Sequence, residues 1–186
     1  IVSLTLHEIG HTLGLRHNFK ASWLYDASEI HDKNITGNNH IGSVMDYDPI
    51  NIAPDGVEQG NYFPTEPGPY DIWAITFGYT QGMSDVERDN LLSQSTRPEY
   101  IFGTDDDAMG SPGGNTDPRN KRYDMSSDPI TYTVQRLQII DNKINELPEI
   151  FNEPGSTYTE LKATFDSLLR DKGRFAESIA IQIGGV

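Results

Sequence analysis

Residues 7–17 read His7-Glu8-Ile9-Gly10-His11-Thr12-Leu13-Gly14-Leu15-Arg16-His17, and the rest of the chain can be placed relative to them. Leu4, Leu6, Ile9 and Leu13 recur at helical spacing and no proline interrupts residues 1–13, which predicts a helix. His7 and His11 stand one turn apart on its face, so their imidazoles can converge on a single ion. Residue 17 lies ~15 Å of helical rise beyond His7, too far for a straight helix to deliver a third ligand. Gly14 removes the difficulty: it tolerates positive φ, ends the helix and turns the chain back so that His17 comes in from the side. Three histidines with an open fourth position make a catalytic rather than a structural zinc site. Glu8 is rotated ~100° around the helix from His7, which directs it at the attacking water instead of the ion. It is the expected general base for hydrolysis of a peptide bond by metal-activated water, passing the proton on to the leaving amine. At this chain's own His, Glu and Gly frequencies, H-E-x-x-H arises by chance in roughly 1 chain in 100 and the full pattern in about 2 in 100,000. The extension therefore carries the argument.

Ser43-Val44-Met45-Asp46-Tyr47 adds a second match. With it the chain resembles the metzincin clan of zinc peptidases, in which the zinc-binding helix is followed by a tight turn carrying a methionine. The resemblance makes His7, His11 and His17 the ligands of one catalytic Zn2+ and Glu8 the catalytic glutamate. Met45 becomes the Met-turn residue that packs beneath the ligands, with Gly14 as structural support. Tyr47 matches the tyrosine that approaches zinc in astacin-like and serralysin-like members, placed to ligate resting zinc or to hydrogen-bond the oxyanion.

His17-Asn18-Phe19-Lys20-Ala21-Ser22 and Gly68-Pro69-Tyr70-Asp71-Ile72-Trp73-Ala74-Ile75 narrow the resemblance to the bacterial Met-zincin family of large exported metalloproteases. The likeness is close over residues 1–80 and looser beyond. It implies peptide or protein substrates cleaved outside the cytoplasm, in a periplasmic, cell-surface or secreted setting. Metzincins carry a twisted sheet before the zinc-binding helix. This chain starts six residues before His7 and with Ile1, so it is expected to be a piece of a longer protein whose upstream half is its partner. The expected fold is mainly α with long irregular loops: a metzincin-like C-terminal half (zinc-binding helix, Met-turn, following helix) plus a helical extension, without the sheet. A different reading keeps the metal but not the chemistry, as a zinc-stabilised peptide-binding or scaffolding module.

Two units are expected, a zinc-binding segment over 1–82 and an acidic loop with helical extension over 83–186 packing on it. Residues 16–52 are loop-like in composition. Tyr70-Asp71-Ile72-Trp73-Ala74-Ile75-Thr76-Phe77-Gly78-Tyr79 reads as a helix with Tyr70, Trp73 and Phe77 on one face, and 84–93 as another. Tyr100-Ile101-Phe102 reads as a strand before a polar loop at 103–122. Asp128-Pro129 starts the longest helix, with Ile130, Val134, Leu137, Ile140, Ile144 and Leu147 as a core stripe up to Pro148. Thr157 and Glu160 form a capping box for a helix running towards Lys172-Gly173, and a further helix starts near Arg174.

Composition narrows the partners. Fourteen Lys plus Arg against 28 Asp plus Glu give a formal charge of −14, which argues against a nucleic-acid or anionic-membrane binder, since both need clustered cations. No apolar run approaches the ~18 residues of a membrane span, and no leader-like segment opens the chain. With no cysteine, the redox compartment is not indicated. His31 and His40 read as solvated loop residues that could touch substrate or a second ion. Thr104-Asp105-Asp106-Asp107 with Gly113-Gly114-Asn115-Thr116-Asp117 offers oxygens for Ca2+ without EF-hand spacing, and reads mainly as a solvated acidic loop. Asp71 could cap or buttress the helix after the Met-turn and hydrogen-bond a group behind the ligands, but a surface carboxylate in a first helical turn needs no functional reason, and it stays outside the site.

Overall fold

A computed structural model describes residues 1–108, 117–152 and 154–183. Among the described residues seven α-helices follow in order: α1 (Val2–Thr12), α2 (Lys33–Thr36), α3 (Pro69–Tyr79), α4 (Asp85–Leu92), α5 (Asp105–Ala108), α6 (Pro129–Ile150) and α7 (Tyr158–Ala180). No β-strand occurs among the described residues. The strand expected at 100–102 is instead the end of a 3-10 turn (Pro98–Tyr100) and an extended linker. Its aromatics pack sideways on α3, with Tyr100 stacked on Trp73 at 5.4 Å between ring centroids and Phe102 on Tyr70 at 5.6 Å. Tyr70, Trp73 and Phe77 share one side of α3, where the stacks cover the first two and Phe77, one turn on, stays exposed.

The helix ends follow local chemistry. The Ser84 hydroxyl accepts from Glu87 N–H and opens α4, the Asp128 carboxylate accepts from Thr131 N–H before α6, and Thr157 and Glu160 exchange a capping box at α7. Two expectations fail here. α6 continues past Pro148 to Ile150, and α7 runs through Gly173 to Ala180 with no separate helix at Arg174. Packing overrides the glycine: Phe175 is buried against Tyr132, and Lys172 Nζ reaches Asp141 at 2.5 Å.

α6 and α7 pair antiparallel, so that early α6 (Tyr132, Arg136) meets late α7 (Phe175) and late α6 (Leu147) lies near early α7 (Leu161). The buried cluster joins Ala27, Ile30 and Ile41 of the long loop to Met125, Tyr132, Ile140 and Phe175. The α6 stripe is therefore rotated at its start: Ile130 and Val134 are exposed, while Tyr132 and Arg136 turn inward. Tyr132 buries a large ring and Arg136 lies 5.3 Å over the ring of Phe175, contacts that the aliphatic positions do not supply. α1 forms as its spacing predicts, and the residues it buries are His7 and Gly10, whereas Leu4, Ile9 and Leu13 are exposed.

Candidate metal centre

Gly14 sits at φ +89 past the end of α1. Leu15 N–H closes on the Gly10 carbonyl at 3.0 Å, and the chain doubles back to bring His17 beside His7 and His11. Ring centroids of the three imidazoles are 4.7 to 5.3 Å apart, and one ligand nitrogen from each lies within 4.8 Å of the other two. Every Nδ1 is engaged: His7 with the Val44 carbonyl at 2.7 Å, His11 with the Leu15 carbonyl at 3.0 Å, and His17 with both Asp105 oxygens at 3.0 and 2.9 Å. Each partner accepts, so each Nδ1 carries the proton and each Nε2 keeps a free lone pair. His17 Nε2 is buried with no protein partner, and burial pulls the His7 pKa below its usual value, favouring the neutral imidazole that ligation requires. This donor set fits a tetrahedral cation with one position open.

The turn at 43–47 lies beneath. Met45 is fully buried, and a Cβ on Gly10 would collide with its sulfur, so the glycine lets turn and helix interlock. Asp71 of α3 holds the turn from below: its carboxylate accepts from Ser43 Oγ at 2.5 Å, Val44 N at 2.9 Å and Gly68 N at 2.7 Å. Burial raises the Asp71 pKa against those three bonds. Asp71 is 3% exposed, not a surface carboxylate, and it buttresses the turn by holding the N–H of Val44, the residue whose carbonyl orients His7. Tyr47 stacks on His7 at 5.3 Å and leans on His17 at 4.6 Å. Burial, then the Asp105 charge, raises its pKa and keeps the hydroxyl protonated. Glu8 is exposed on the rim of a cavity that His7 also lines.

Nothing supports Ca2+ at the acidic stretch: among the described residues its carboxylates meet protein partners and form no metal-holding group, and Gly113, Gly114, Asn115 and Thr116 lie outside those residues. Asp105 binds His17, Asp106 pairs with Arg16 at 2.9 Å, and Asp107 accepts from Thr104 N at 3.0 Å. Asn18 delivers Asp105 to its place by bonding the Ile101 carbonyl and Gly103 N–H. Nothing in the local sequence marks Asp105 as a partner of His17, 88 residues earlier. His31 and His40 are buried, not solvated, and neither joins the cluster; His40 Nε2 faces Asp48 at 3.4 Å.

The family model described as Met-zincin matches residues 1–186. The chain belongs to the Met-zincin family. No match is found among curated proteins or among solved structures. Met-zincin membership implies zinc and a metallopeptidase-like activity, and the three-histidine group of this chain has the chemistry to hold such an ion.

Proposed function

We propose that this Met-zincin chain carries the catalytic centre of a zinc-dependent endopeptidase. The observation that carries the reading is the trio of Nε2 lone pairs, freed by Nδ1 bonds to Val44, Leu15 and Asp105 and gathered beside Glu8 at a cavity mouth. Zinc held by His7, His11 and His17 would polarise a scissile carbonyl and acidify a water. Glu8 takes the proton of the attacking water and delivers it to the leaving amine. The protonated Tyr47 hydroxyl supplies a donor for charge developing on the carbonyl oxygen. Met45, Gly10 and Asp71 hold the floor rigid, and Asp105 orients His17.

Residues 1–82 form the zinc-binding segment in this reading, and the extension over 83–186 belongs to the site through Asp105. The exposed Ile9 and Leu13 of α1 suit an upstream half of the same polypeptide. An extracytoplasmic peptide or protein substrate belongs to the same proposal, resting on the family resemblance. Among the described residues no helix is long and apolar enough to cross a membrane.

The full-length protein and its Glu8→Gln variant should each bind close to one zinc per chain, while His11→Ala binds none. Peptide cleavage should fall at least about a thousandfold in Glu8→Gln. Zinc binding with no cleavage by the unmodified protein would instead support the peptide-binding or scaffolding module.

A further inference from the structure

A cavity of about 630 Å3 opens directly beside His7 and Glu8. Leu4, Val44, Phe63 and Pro64 wall it with apolar surface. Two acidic residues besides Glu8, Asp46 and Asp48, belong to its lining, and they differ. Asp46 is saturated, accepting from Ser22 N–H at 2.9 Å and Tyr47 N–H at 2.7 Å. Asp48 is not: its side chain is 8% exposed, no hydrogen bond reaches its buried Oδ2, and only His40 Nε2, at 3.4 Å, faces it. Among the described residues no Lys or Arg pairs with it. A carboxylate this desolvated is costly without a partner, and a cation is the partner that repays the burial best.

The far rim points the same way. Tyr123 lines the cavity from the extension with φ 63, a left-handed conformation that costs a non-glycine residue of order 1 kcal/mol. Its N–H donates to the Tyr47 carbonyl at 2.8 Å, and its ring stacks on Tyr47 at 6.1 Å. The strain holds an aromatic wall against the cavity, a surface that suits a methylene stem, while the cation the ring can hold is already the chain's own Arg174, 4.9 Å from its centroid.

We propose that this cavity selects a lysine or arginine side chain flanking the scissile bond, its stem against Leu4, Val44 and Phe63 and its cationic tip on Asp48. The inference rests on the peptide-cleaving reading and names the substrate class: basic peptides, which the net charge of −14 also attracts.

The test uses the zinc-loaded full-length protein and peptides carrying lysine, arginine, norleucine or glutamate in turn at each position flanking the cleaved bond. At one position lysine should exceed norleucine about tenfold or more in kcat/KM, and by a similar factor in affinity for the Glu8→Gln protein. Asp48→Asn should bring that ratio within about twofold. Thr65→Lys, which puts a competing cation at an exposed position on the rim, should lower it too without touching the buried carboxylate. Norleucine matching lysine at every position, or a ratio that survives both variants, overturns the proposal. Cleavage without lysine preference sinks this inference and leaves the peptidase reading intact, whereas lysine-selective binding without turnover supports it and sinks the peptidase reading.

Discussion

Asp105 shows how a single contact can belong to a site without any local mark. Burial opposes its charge, but the hydrogen bond from His17 holds it below the usual carboxylate range. A carboxylate behind a ligating imidazole fixes the ring and raises its basicity, typically worth 10 to 100-fold in metal affinity. Asp105→Ala should therefore weaken zinc binding by about that factor, measured by chelator competition. Asp106→Ala, which removes only an exposed pair with Arg16, should stay within about threefold. Equal losses in the two variants would reduce Asp105 to bulk acidity. Asp71 teaches the same lesson 27 residues from its turn partner, Val44: its place in a first helical turn was legible, its burial under the site was not.

Between elements, the decisive fit is α3 against the turn that carries Met45. Gly68, just before α3, approaches so closely that a Cβ there would strike the Gly42 carbonyl and the Ser43 nitrogen, both backbone atoms that cannot step aside. Gly68→Ala should destabilise by about 1–3 kcal/mol through that overlap. Gly78, near the other end of the same helix, has nothing within 4 Å of its would-be Cβ. Gly78→Ala should stabilise by up to about 1 kcal/mol through helix propensity. Thermal unfolding of the two variants should thus move in opposite directions, and a shared direction would refute the close-packed contact. Both glycines look alike in the sequence, because the difference lies in what packs opposite them.

Across the whole molecule, buried groups set opposing pH slopes. Burial lowers the His31 pKa to about 4, so the stability it contributes is complete above the unfolded value near 6.5 and is lost as pH falls towards 4. Asp46 and Asp124 meet the same serine, Ser22 giving its N–H to one and its Oγ–H to the other, and burial raises both. With Asp124 pushed up to about 7, its contribution is complete below about 4 and is lost as pH rises through 7. Between pH 4 and 6.5 the two trends offset. Asp124→Asn removes the second, so its unfolding free energy should rise with pH across that window more steeply than the wild type, by up to about 1.4 kcal/mol per unit. Parallel curves from denaturant titrations would rule out the raised carboxylate.

The amino-acid sequence by itself settled what depends on near neighbours. His7 and His11 share a face because the helix repeats every 3.6 residues, Gly14 turns the chain because it alone lacks a Cβ, and Asp128 and Thr157 open helices because their side chains reach the next amides. Only the tertiary structure decided which acceptors orient the imidazoles, that His31 and His40 are buried, that residues 100–102 stack on α3 instead of forming a strand, and that Tyr132 and Arg136 rather than Ile130 and Val134 face the core. Those outcomes rest on pairs tens of residues apart, and such pairs leave no periodicity along the chain because their geometry exists only once the helices and loops have packed.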